Sequence, residues 1–236
     1  MSAKLEINSP EFEIANAGFS NGISTQLKTV LDRGEMRSLN EDEKWKIIDE
    51  AAIHYGNFLT ALGCNWKEDP NSADTPRRVA KAYVQDLWKG RYEIISGITR
   101  FPSDGYTGIV LEQDIPLTSQ CSHHAQNILG KVHIGYIPGE ESLVVGLSKL
   151  NRIVELFGRR GAIQEQLTKA IHNAIDSIIP GNLGVIVIIQ ATHACVSCRG
   201  IKHQGASMST SVVSGVFADP NNTAKAEVFD LIKNKI

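Results

Sequence analysis

The sequence predicts an α+β fold rather than a doubly wound α/β sheet, and three observations carry that reading. Two helical patterns come first. From about residue 108 the apolar periodicity changes to that of strands. Helices and strands then follow in blocks instead of strict alternation, which argues against a parallel sheet built from crossover units. A chain of 236 residues is one large domain or one domain with an appendage.

Residues 1–38 mix polar and apolar types without a sustained period and read as an extended or mobile arm. Asn40 then supplies an N-cap, with Glu43 completing a capping box. Trp45, Ile48, Ala52, Tyr55, Leu59 and Leu62 follow at helical spacing until Gly63, which predicts a helix over 41–62. In DTPRRVAKAYVQDLWKG, Thr75 reads as the cap, Pro76 as the first helical residue and Gly90 as the stop, with Val79, Ala80, Tyr83, Val84 and Leu87 as the buried stripe. These two helices define an N-terminal helical region, 39–105. Segments 108–118 and 130–138 are β-rich and bounded by turn residues. Ser148 reads as the cap of a helix carrying Leu150, Ile153, Val154 and Phe157, and a further helix is expected over 162–178. The β-branched run 184–192 reads as a buried strand with 206–217 as its partner, and a short helix is expected at 223–234.

The composition, 42% hydrophobic and 21% charged with a net charge of −2, is that of a globular protein with a real core. The near-neutral balance excludes a nucleic-acid partner held by bulk charge, but a small anion needs only a few local cations. No run reaches the 18 or more apolar residues of a membrane span, and the first residues lack the pattern of a secretory signal. Four cysteines in a chain this long are too few for a disulfide framework, so a cytoplasmic location is expected.

Three of the four cysteines and three of the seven histidines fall into two short segments, SQCSHH (119–124) and ATHACVSCRG (191–200). Cys121 and His124, like Cys195 and Cys198, have metal-ligand spacing, and thiolate with imidazole suits Zn²⁺. Spacing leaves two arrangements open. A closed set of Cys121, His124, Cys195 and Cys198 would be structural, whereas Cys121, His124 and Cys195 alone would leave a position for water, as catalysis requires. A structural site has no need of the additional imidazoles of His123 and His193. If residues 193–195 continue the strand, His193 and Cys195 face one site together. Two such imidazoles suit acid–base work near neutral pH.

In GLSKLNRIVELFGRR (146–160), Ser148 opens the predicted helix, where free backbone N–H groups favour an anion. Lys149 and Arg152 oppose the macrodipole there, which points to a bound anion. Arg199 is a further cation near the second Cys segment, and Arg78 and Lys81 share one helix face. Glu165 is a carboxylate able to accept from the N1–H and amine of a guanine. No Walker-type loop is present.

These segments, together with DTPRRVAKAY (74–83), GKVHIGYIP (130–138), QEQLTKAI (164–171) and GIKHQGAS after the second Cys segment, resemble the GTP cyclohydrolase I family over roughly residues 40–235. The resemblance implies a tunnelling fold for 106–236 as the catalytic domain: an antiparallel sheet with helices on one face, assembled as a homodecamer with interfacial active sites. It implies Zn²⁺ on Cys121, His124 and Cys195, acid–base roles for His123 and His193, and guanine recognition by Gln164 and Glu165. It further implies a triphosphate cradle of Arg78, Lys81, Ser148, Lys149, Arg152 and Arg199, with GTP as the substrate and 7,8-dihydroneopterin triphosphate and formate as products. The family usually reads Cys-Glu-His-His, and Ser122 stands here in place of the glutamate.

Overall fold

The computed structural model describes residues 4–5, 38–95 and 97–234. The expected arm at 1–38 therefore lies, apart from Lys4–Leu5 and Ser38, outside the described residues. The chain divides into two compact units, Arg37–Ile94 and a larger one that contains Ile95–Ile236.

In the smaller unit, helix α1 (Glu41–Ala61) begins with the expected capping box: Glu43 N–H donates to Asn40 Oδ1 and Asn40 N–H to Glu43 Oε2, each at 2.9 Å. Gly63 follows the helix at φ +79°, a backbone conformation costly for a side chain. Helix α2 (Thr75–Ala82) is shorter than its apolar stripe suggests. It widens into a π turn at Tyr83–Leu87, where Trp88 N–H reaches back to Tyr83 O, and then tightens into a 3-10 turn at Lys89–Arg91. Asp74, not Thr75, occupies the cap position, because the helical backbone already begins at Thr75. The two helices meet around Trp45, whose ring lies under the Arg77 guanidinium and the Lys81 ammonium.

The larger unit is built on a four-stranded antiparallel sheet: β3 (Val110–Cys121), β4 (Gln126–Ile137), β6 (Gly184–His193) and β7 (Met208–Val213), in the order β3-β4-β6-β7. A second, small sheet joins β1 (Lys4–Leu5), β2 (Ile98–Pro102) and β5 (Leu143–Val145). Sequence periodicity missed these short strands, which are too brief to establish a period. Strand β7 also stops short of the expected 217, because Gly215 at φ +54° turns the chain into a 3-10 turn at Gly215–Phe217.

Strand alternation sorts the core. Val185, Val187, Ile189 and Ala191 of β6 face one side with α3 (Leu147–Gly158) and α4 (Gln164–Ile178). Ile186 and Ile188 face the other, where α6 (Ala224–Lys233) packs through Ala224 and Val228. The two long helices thus share a face, as expected, and the last helix adds cover on the opposite side. The register also gives the sheet two distinct ends. Cys121 pairs with Gln126, and Ile128 with His193, at one end; Val110 pairs with Tyr136, and Tyr136 with Val185, at the other.

Candidate active site

Strand β3 ends on Cys121, and residues 122–125 turn the chain into β4. In that turn the N–H groups of His124 and Ala125 both point back to Cys121 O, at 3.4 and 2.9 Å. This single tight turn puts the side chains of Cys121 and His124 on one side. Ala125 closes it at φ +51°, a left-handed conformation costing a non-glycine residue about 1 kcal/mol.

The second segment reaches the same place by a different route from the one the sequence suggested. His193 is the last residue of β6, and the chain then enters a one-turn helix, α5 (Ala194–Ser197). Cys195 therefore does not share a strand face with His193; the break in the strand is what swings its thiol toward Cys121. The candidate ligand atoms of Cys121, His124 and Cys195 all lie within 4.8 Å of one another. Two thiols and an imidazole at that separation fit a tetrahedral zinc, whose ligand bonds are about 2.0–2.3 Å long. Cys198 is exposed and stands outside this cluster. Burial pushes the Cys195 thiol up, the neighbouring Cys121 pushes it the same way, and Arg199 pulls it down.

Around the cluster stand groups able to handle protons. His123 is exposed, its ring 6.3 Å from that of His124 and nearly perpendicular to it. His193 is partly buried, and burial holds its imidazole below the ordinary range while the Glu165 carboxylate pulls in the opposite direction. Glu165 is exposed on the first turn of α4. Gln164, beside it, is only 1% exposed. Its Oε1 lies 2.8 Å from His193 Nε2, and its Nε2 lies within 3.2 Å of Ile189 O, Met208 O and Thr210 Oγ1. Thr168 and Thr210, which complete this network at 2.6 Å, were not singled out in the sequence. No local sequence signal marks them: Thr168 is fully buried on α4 and meets Thr210 only through the packing of β7.

The cations expected to form one cradle are not all brought to this place. Arg199 is near Cys195. Ser148, Lys149 and Arg152 lie at the start of α3, whose cap is Gly146 rather than Ser148 because the helix begins two residues earlier than expected. Asn151 of that helix bonds Glu112, and Val145 N–H donates to Tyr136 Oη at 3.1 Å. Both contacts fix the start of α3 at the far end of the sheet. From Glu112 to Cys121 is nine residues of strand, roughly 25–30 Å after allowing for the bulge at Gln113 and Asp114. Lys149, Arg152 and Arg199 make no ion pair among the described residues. Arg78 and Lys81 belong to the smaller unit, where both are exposed and Arg78 contacts Asp74 at 3.3 Å. No helix among the described residues is long and apolar enough to cross a membrane.

Comparison with known proteins gives these features a common context. The GTP cyclohydrolase I family model matches residues 51–233. A GTP cyclohydrolase 1 of Pseudoalteromonas translucida is 44% identical over 185 residues, covering 76% of this chain and 95% of the relative. One from Mycobacterium marinum is 40% identical over 191 residues, covering 79% and 90%. A Pseudomonas aeruginosa protein described as GTP cyclohydrolase 1 2 is 42% identical over 187 residues, covering 76% and 97%. With a family match over most of its length and relatives matched almost end to end, this chain belongs to the GTP cyclohydrolase I family.

Proposed function

We propose that this protein is a zinc-dependent GTP cyclohydrolase I, opening the imidazole ring of GTP, releasing formate and forming 7,8-dihydroneopterin triphosphate. The observation that carries the reading is the convergence of Cys121, His124 and Cys195 beside His193, Glu165 and Arg199, with Cys198 left outside. A three-ligand set is the open arrangement that catalysis needs, whereas a structural zinc would take a fourth protein ligand.

Zn²⁺ held by Cys121, His124 and Cys195 would supply Lewis acidity toward water. The chain's own residues account for the rest. Ring opening needs a proton delivered to N7 as water adds at C8, and His193 and His123 are the imidazoles assigned to it. Glu165 selects guanine by accepting from N1–H and the exocyclic amine. Arg199, Arg78, Lys81, Ser148, Lys149 and Arg152 hold the triphosphate; the guanidinium groups suit bidentate phosphate contacts.

One chain does not bring Ser148, Lys149 and Arg152 to the metal end, and a single nucleotide does not span the sheet between them. The two sets therefore serve one substrate only when two copies meet, the start of α3 in one copy facing the metal end of another. This supports a homo-oligomer with interfacial sites, for which we propose the homodecamer, in the cytoplasm, where thiol ligands stay reduced.

Incubating the zinc-loaded protein with GTP tests the reading, with formate and the fluorescent oxidised pterin expected. A formamidopyrimidine product would mean that reaction stops at ring opening. No product from an assembled, zinc-replete sample would contradict the proposal.

A further inference from the structure

The hydrogen bonds that hold His193 have only one self-consistent direction. Gln164 is 1% exposed and Thr168 is fully buried, so both must satisfy their polar atoms internally. Thr168 Oγ1 lies 2.7 Å from the backbone oxygen of Gln164, which only accepts, and the single hydroxyl proton goes there. Thr210 must then donate in the 2.6 Å bond between the two hydroxyls. Having used its proton, Thr210 Oγ1 accepts from Gln164 Nε2 at 3.1 Å. The loop is closed: it leaves the Gln164 side chain and returns to the Gln164 backbone.

A second, independent constraint agrees. Ile189 O and Met208 O face the same Gln164 atom at 3.2 and 3.1 Å, and carbonyl oxygens cannot donate. The orientation of a side-chain amide is assigned from its hydrogen-bond network, and only one orientation satisfies this one. Gln164 Oε1 is thereby left facing His193 Nε2 at 2.8 Å. An amide oxygen accepts and never donates, so His193 Nε2 carries a proton. In the neutral ring the lone pair is then on Nδ1, which makes no hydrogen bond among the described residues. The amide has two N–H donors for three internal acceptors and its oxygen already accepts from His193, so this side chain, only 1% exposed, has no N–H left for a guanine.

We propose that Gln164, locked by Thr168 and Thr210, is a positioning residue that holds His193 in its Nε2–H tautomer, so that Nδ1 is the nitrogen exchanging protons with substrate. This replaces side-chain guanine recognition by Gln164 with a role exercised through His193. Its kinetic consequence rests on the proposed function, whereas the tautomer does not.

Magic-angle-spinning NMR of zinc-loaded, ¹⁵N-histidine-labelled protein, with His193 assigned by difference against His193→Asn, reads the tautomer directly. The expected result is a single Nε2–H species in the native protein. Gln164→Met should give a tautomer mixture and lower kcat about 10-fold or more, the usual scale for a supporting shell, with little change in KM for GTP. Thr168→Val should move both readouts part of the way, and Thr168→Ser should restore them, which keeps the test decisive if Gln164→Met fails to fold. A native Nδ1–H tautomer overturns the proposal. So does a Gln164→Met variant with raised KM and unchanged kcat, which would return Gln164 to the base-binding site. A native protein that turns over no GTP but shows the Nε2–H tautomer refutes the proposed function and leaves this assignment standing.

Discussion

The two ends of the β3-β4-β6-β7 sheet are built on opposite principles. At the Cys121 end, key groups are tied to the framework: Gln164 is bonded to two strands and to His193, and the turn at 122–125 is closed onto Cys121. At the other end, Ser148 and Arg152 are exposed at a helix start with no acidic residue in its first turn. In the proposed proton-transfer role a group that moves by an ångström loses rate, so rigidity at this end suits that role. A phosphate cradle gains from cations that have no partner of their own, because nothing must be displaced when the anion arrives. The contrast accords with the proposed interfacial site, in which the start of α3 in one copy would meet the Cys121 end of another.

The comparison can be broken or sharpened by substitution, and the largest effects belong to the metal end. Cys121→Ala or Cys195→Ser should abolish both zinc binding, measured by metal analysis, and GTP turnover. Cys198→Ser should leave zinc stoichiometry at its native value, since that thiol lies outside the cluster; loss of zinc would restore the closed four-ligand arrangement. At the other end, Arg152→Ala should keep the zinc and lower kcat/KM for GTP by about 10–100-fold, the worth of one charge-assisted contact.

Smaller effects probe the framework. A Cβ at Gly130 would lie 2.1 Å from Gln190 O, which is sheet backbone and cannot yield cheaply. Gly130→Ala should therefore cost about 2 kcal/mol or more in denaturant unfolding. Ala125→Gly relieves the left-handed turn and should stabilise by less than ~1 kcal/mol, with zinc retained. Burial raises the Glu112 carboxyl above its ordinary range although Asn151 opposes this. A raised carboxyl favours folding when protonated, and that contribution is lost as pH rises through the folded value. Glu112→Gln should thus be slightly the more stable protein near pH 7, with its advantage shrinking as the pH falls through the carboxyl's raised folded value. Melting curves across that range check the sign.

Much of this was legible in the sequence, for identifiable reasons. Helix α1 announced itself through the Asn40–Glu43 box, and β6 through its β-branched run, because both signals are local. The candidate ligands Cys121 and His124 were legible because one turn holds them. Cys195 was found by its spacing, but its route was not: nothing in ATHAC says that the strand stops at His193. The start of α3 was misjudged because serine is a strong cap, yet here Gly146 precedes a helix that already includes Leu147. The burial of Gln164 is invisible in the sequence because it depends on β7, 44 residues away. The separation of Ser148, Lys149 and Arg152 from Cys121 was equally invisible, since it follows from the register of β3 and from the packing of Asn151 on Glu112.

The most direct test of the proposed shared site mixes one inactive and one impaired protein. Cys121→Ala removes the metal end and Arg152→Ala weakens the cradle, each in an otherwise intact chain. Unfolded together in equal amounts and reassembled with zinc, they should recover about a quarter of native activity, the fraction of random interfaces drawing both halves from intact donors. Mixed oligomers, verified by native mass spectrometry, with no activity above that of Arg152→Ala alone would contradict the account.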